Sequence, residues 1–135
     1  MLDRLSFRII NPIGKEEWVQ NSNISQVVEI YLNGVEIVSI LKEIETPYAN
    51  EENHANLAGA YGHVSPDELY ANLTKYEEDI EILCCSGCGE SGCWWIIVDI
   101  EKDEKFVYWK RFRNNHRDWK YDISYKFDKD SNVFL

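Results

Sequence analysis

Residues 94–101 (WWIIVDIE) and 105–112 (KFVYWKRF) are two runs of β-branched and aromatic residues, separated only by Lys102, Asp103 and Glu104. A polar turn this short can join two strands only as an antiparallel hairpin, because parallel neighbours need a crossover of a dozen or more residues. Alternation along the first run places Trp94, Ile96, Val98 and Ile100 on one face. Trp95 and Ile97 share the other face and give way there to Asp99 and Glu101. Whatever else the chain does, it must extend an antiparallel sheet from this hairpin.

The remaining segments fit that frame. Leu5, Phe7 and Ile9 alternate with their neighbours as a short strand that stops at Asn11-Pro12-Ile13-Gly14. Residues 27–32 (VVEIYL) form a second strand, followed by Asn33-Gly34, a pair suited to a tight hairpin turn. Beyond the turn, Val35, Ile37, Ser39 and Leu41 could continue the hairpin, whereas Ile37, Ile40, Leu41 and Ile44 share one helical face. Lys42, Glu43 and Glu45 favour the helix, so a strand, a turn and a helix are expected here. Residues 46–64 carry no sustained period and read as a long loop. Ser65-Pro66-Asp67-Glu68 is a capping box with proline at the first helical position, and Leu69, Leu73 and Tyr76 would line the helix that follows. Residues 80–83 lead as a strand into the cysteines, and 121–127 (YDISYKF) alternate as a last strand before a polar turn at 128–132. The expected fold class is α+β: a mainly antiparallel sheet, one or two helices and a cysteine-rich turn.

The 135 residues suit a single domain, 1–135, with no repeat or low-complexity linker to divide it. With 24 acidic against 14 basic side chains the net charge is -10, which disfavours whole-surface attraction to nucleic acid or anionic lipid. No apolar run reaches the roughly 18 residues that cross a bilayer, and the N-terminal segment lacks the apolar core of a secretory signal. A soluble protein of the cytoplasm is expected. No G-x-S-x-G, phosphate loop or H-E-x-x-H occurs, so the familiar hydrolase and nucleotide signatures are missing.

All four cysteines fall within CCSGCGESGC: Cys84, Cys85, Cys88 and Cys93. In Cys85-Ser86-Gly87-Cys88-Gly89, two intervening residues let both sulfurs converge on one tetrahedral ion, and the glycine lets the backbone turn around it. Cys93 is within reach of the same ion across Gly89 and Gly92. Cys84 is awkward, since neighbouring side chains on extended backbone point to opposite faces. His116 is the best fourth ligand because it lies past the hairpin that begins at Cys93; His63 and His54 follow. Cys85, Cys88, Cys93 and His116 would make a closed structural zinc site, and an open fourth position would make a catalytic one. The competing reading is a set of reduced thiols on a glycine-rich turn. A thioredoxin-like role is disfavoured because these cysteines open a strand rather than a helix.

The segment 109–120 (WKRFRNNHRDWK) departs from the acidic balance: five basic residues against Asp118 give it a local charge of +4. Trp109, Arg113, Arg117 and Trp119 are candidate contacts for a protein partner, since arginine and tryptophan are enriched at interfaces. The same interleaving can hold phosphate and stack on bases. The plainest alternative is that Arg113 and Arg117 pair with the chain's own surplus carboxylates.

Cys88-Gly89-Glu90-Ser91-Gly92-Cys93-Trp94, Val107-Tyr108-Trp109, Phe112, His116-Arg117, Trp119 and Tyr121 together resemble a family of small uncharacterised bacterial proteins. Its pattern is C-x-C-G-x-x-G-C-W, then V-x-W-x-x-F-x-x-x-H-R and a late F-x-F-D, here Tyr125-Lys126-Phe127-Asp128. The chain departs from that pattern at Cys84-Cys85-Ser86-Gly87-Cys88. The resemblance brings no activity with it; it implies that Cys88, Cys93 and His116-Arg117 belong to one spatial unit. The resulting expectation is a non-enzymatic binding or accessory module of the bacterial cytosol. The alternatives are an enzyme with a Cys/His or open-metal centre, and a nucleic-acid-binding module acting through 109–120.

Overall fold

The computed structural model describes residues 2–11, 26–86 and 93–131. Among them two antiparallel sheets form: β1 (Leu5–Ile10), β2 (Val27–Leu32) and β3 (Val35–Glu36) in that order, and β4 (Tyr61–His63), β5 (Ile80–Cys85), β6 (Ile96–Lys102), β7 (Phe106–Arg113) and β8 (Tyr125–Asp128) in that order. Two α-helices, α1 (Ile37–Glu51) and α2 (Pro66–Lys75), complete an α+β fold that is mainly antiparallel sheet. No helix among the described residues is long and apolar enough to cross a membrane. The turn expected at 12–14, Cys88 with its flanking glycines, and Asn132 lie outside the described residues.

The β6–β7 hairpin forms as the two apolar runs require. Asp103 turns it: its carboxylate accepts the backbone N–H groups of Lys105 (2.8 Å) and Phe106 (2.7 Å), and its own N–H donates to the Phe106 carbonyl (3.0 Å). Pairing to β5 and β7 encloses β6, and residues 96–100 are buried on both faces. Asp99, expected at the polar end of one face, is therefore inside. Trp109 is also wholly buried, with its ring edge-on to Phe127. It belongs to the core, which corrects the expectation that it contacts a partner.

Asn33 and Gly34 both adopt positive φ (54° and 81°), joining β2 to a two-residue β3. The helix starts at once, because the Glu36 carboxylate accepts the N–H groups of Val38 and Ser39 as an N-cap. It runs to Glu51, well past the expected end near 45, so the first part of the supposed loop 46–64 is helical. Buried Ile37, Leu41, Glu45 and Ala49 recur every four residues, and Pro47 lies within the helix. This continuous stripe outweighs the lost proline donor. Helix α2 begins as its capping box requires, with Ser65 Oγ accepting the Glu68 N–H at 3.3 Å. Leu69 and Leu73 are buried, but Tyr76 caps the end and is 57% exposed, so it does not share their face. Ile9, which alternates in step with the half-buried Leu5 and Phe7, is likewise exposed. Of the expected last strand 121–127, only Tyr125–Asp128 pairs, with β7. A hydrogen bond from Val28 N–H to the Val64 carbonyl (2.9 Å) joins the two sheets at β2 and the end of β4.

Candidate functional site

Most of the polar chemistry of this fold gathers where the end of α1 meets β4 and the segment after β7. Asn114, buried beyond β7, turns that segment: its Oδ1 accepts the His116 N–H (2.9 Å), and its carbonyl accepts the Arg117 N–H (3.1 Å). Its Nδ2 donates to the Tyr61 hydroxyl (3.2 Å). Trp94, one residue past Cys93, lies over this corner. Its ring stacks on Tyr61 (6.4 Å, 8°) and on His116 (6.2 Å, 18°), and meets Trp119 edge-on at 5.8 Å. The Arg117 guanidinium stands 5.1 Å from the Trp94 ring centre, within cation–π range.

Beneath Trp94 lies a buried carboxyl group. Glu45 of α1 has no exposed surface. It accepts the Gly59 N–H at 2.8 Å and the hydroxyls of both Tyr61 and Tyr121. Burial pushes the Glu45 carboxyl above the usual carboxylate range, against the opposing hydrogen bonds from Gly59, Tyr121 and Tyr61. The two phenols move up as well, chiefly by burial, with the Glu45 charge adding to the effect. Gly59 is required where it stands: its φ is +69°, and a Cβ there would meet Lys42 Cβ at 2.7 Å. Glu45 entered the sequence reading only as a helix former; its signal was the four-residue spacing from Leu41 and to Ala49.

Outside Trp94, Glu52 at the end of α1 accepts Arg117 Nε (2.9 and 3.2 Å) and Trp119 Nε1 (2.8 Å). Tyr48 stacks on Trp119 at 5.9 Å. With Glu51 and Asp118 these residues line a surface pocket of about 450 Å³. Three carboxylates and one guanidinium line it, Arg117 being paired with Glu52. A larger groove of about 660 Å³ on the outer side of β7 and β8 includes Asp3, Glu101, Asp103, Tyr108, Lys110 and Lys126. Its polar groups already have partners: Lys110 pairs with Glu101, the Tyr108 hydroxyl donates to Asp103, and Lys126 stands over the neighbouring Phe106 ring.

A bulge assembles the third polar cluster. The β6–β7 register shifts between Ile97 and Asp99, and Arg111 takes φ +57°. Both Arg111 (2.7 Å) and Arg113 (3.1 Å) thereby reach Asp99, and Arg113 also pairs with Asp79. Burial works against the Asp99 charge, but the Asp79 N–H and the two guanidinium groups outweigh it and hold the carboxyl below its usual range. The basic segment is therefore tied to the chain's own acids through Arg111, Arg113 and Arg117.

Of the expected zinc ligands, Cys85 ends β5 opposite Tyr61, Cys93 is exposed beside Trp94, and His116 is exposed and stacked on Trp94. All three lie toward one end of the larger sheet. By themselves they do not bring three ligand atoms within 4.8 Å of one another, and Cys88 lies outside the described residues. Of the alternative ligands, His63 ends β4 and His54 precedes the short turn at 55–57. Comparison of the chain with protein-family models, with curated proteins and with solved structures finds no match.

Proposed function

We propose that the chain is a non-enzymatic binding module of the bacterial cytosol that takes a basic segment of a partner protein. The supporting observation is the 450 Å³ pocket, whose Tyr48–Trp119 stack sits among Glu51, Glu52 and Asp118. Aromatic faces attract a lysine or arginine side chain by cation–π interaction, and a carboxylate rim reinforces it. Arg117 lines the pocket as well, held by Glu52 and standing over the Trp94 and Trp119 rings, and the three lining carboxylates outnumber its single charge. The net charge of -10 favours encounter with a basic partner. Nucleic acid fits less well, because Arg111, Arg113 and Arg117 already face carboxylates of their own chain.

A structural zinc ion held by Cys85, Cys88, Cys93 and His116 belongs to the same proposal and would fix the corner that carries Trp94. Its test is metal content with a native thiol count: one zinc per chain with protected thiols supports it, and no metal with freely titrating thiols overturns it.

The binding proposal is tested by titrating a short lysine-rich peptide against the full chain while following tryptophan fluorescence. Saturable quenching that weakens about tenfold in both Tyr48→Ala and the Glu51→Gln/Asp118→Asn pair is expected. An equal response in wild type and both variants, or none in wild type, overturns it.

A further inference from the structure

We propose that Glu29, Glu36 and His63 form a mononuclear site for a divalent first-row transition ion. Three separate elements build it. Glu29 and Tyr31 are two apart on β2 and so share a face, and Glu36 pairs directly with Tyr31 across the β2–β3 hairpin. The inter-sheet hydrogen bond from Val28 to Val64 then brings His63, at the end of β4, beside Glu29. As a result one ligand atom from each of the three residues lies within 4.8 Å of the others.

The donor geometry suits a metal. His63 Nε2 stands 2.6 Å from Glu36 Oε1. Ligands about 2.1 Å from a tetrahedral ion stand about 3.4 Å apart, so opening the pair by less than about 1 Å admits the ion. Both carboxylates are already held by second contacts: Glu36 Oε2 accepts the Val38 and Ser39 N–H groups, and Glu29 Oε1 accepts the Tyr31 hydroxyl at 3.0 Å. Such second contacts set ligand direction in metal sites.

The electrostatics agree. The His63 and Glu36 side chains are only 12% and 18% exposed. Among the described residues no lysine or arginine forms an ion pair with Glu29 or Glu36, and Arg8, opposite Glu29 in the β1–β2 register, is exposed. Two carboxylates withdrawn from water favour a bound cation. The N-terminus of α1 opposes it with roughly half a positive charge, which the two full negative charges exceed. One imidazole with two carboxylates selects manganese, iron or zinc over calcium, which prefers oxygen ligands alone.

Mn²⁺ is the discriminating probe, because thiolates bind it poorly and the cysteine cluster does not compete. Chelator-treated full chain is titrated with Mn²⁺, following loss of the free-ion electron paramagnetic resonance signal. About one ion per chain is expected, with affinity falling at least tenfold in Glu29→Gln and in His63→Gln. Glu29→Gln leaves the helix cap untouched, so it decides the matter if His63→Gln does not fold. Co²⁺ should then give visible d–d bands in a Cys85→Ser/Cys88→Ser/Cys93→Ser background. No Mn²⁺ binding by wild type, or binding unchanged in Glu29→Gln, overturns the site and leaves His63 and Glu36 as a hydrogen-bonded pair.

Discussion

Glu45 and Asp99 are both buried carboxyl groups with three donors around them, yet the fold drives them in opposite directions. Glu45 accepts one backbone N–H and two phenolic hydroxyls. Asp99 accepts one backbone N–H and two guanidinium groups. Burial acts to raise both, and only Asp99 is carried below its usual range. At Asp99 the Asp79 N–H, followed by the full charges of Arg113 and Arg111, outweighs burial, whereas the neutral N–H and phenols around Glu45 do not.

The comparison is broken most severely by removing Glu45. Glu45→Ala leaves the Gly59 N–H and two buried hydroxyls without their acceptor and opens a cavity under Trp94, a loss of about 3–5 kcal/mol in urea unfolding. Asp99→Ala should cost less, about 2–3 kcal/mol, because Arg111 is already 66% exposed and can turn to water. If the two losses are equal, water reaches Glu45 more easily than its complete burial implies.

Sequence patterning revealed the frame of this contrast but not its centre. The 94–112 hairpin, the Asn33-Gly34 turn and the Ser65 cap are local, and apolar alternation or turn chemistry within a few residues is enough to identify them. Asp99 looked solvated because alternation describes one strand at a time. Its burial comes from β5 and β7 closing on both sides of β6, and its cations arrive through a bulge at Arg111 that no short pattern announces. Glu45 stood out only as a helix former, although its place in the Ile37, Leu41, Ala49 stripe was readable. Arg113 and Arg117 do meet the chain's own acids, as the surplus of carboxylates allowed, whereas Trp109 folds into the core and Trp119, though mostly buried, keeps an edge in the surface pocket.

Acidity sharpens the contrast, with an effect smaller than either outright loss. Glu45 has its folded pKa raised above the ordinary value of 4.5, so its contribution is complete below 4.5 and is lost as pH rises through the folded value. Asp99 has its folded pKa lowered from 3.8, so its contribution is present above 3.8 and is lost as pH falls through the folded value. The stability gap between wild type and Glu45→Gln should therefore widen as pH falls from neutral toward 4.5. The gap to Asp99→Asn should instead narrow below 3.8. Unfolding free energies across that range check both signs, and parallel curves would show that the two carboxyls are not held differently.

The smallest effect comes from neighbouring residues that look alike. Lys110 and Arg111 are 45% and 66% exposed, and each faces one carboxylate across the hairpin. The partner of Lys110 is Glu101, itself 63% exposed, so both ends of that pair remain hydrated and screened. Arg111 reaches Asp99, whose side chain is 6% exposed and cannot exchange its lost contact for water. Lys110→Ala should change stability by less than about 0.5 kcal/mol, and that remainder should fade with added salt. Arg111→Ala should cost about 1 kcal/mol and resist salt, although Arg111 is the more exposed of the two. Equal, salt-sensitive losses in denaturant titrations would mean that Arg113 and the Asp79 N–H already satisfy Asp99 without it.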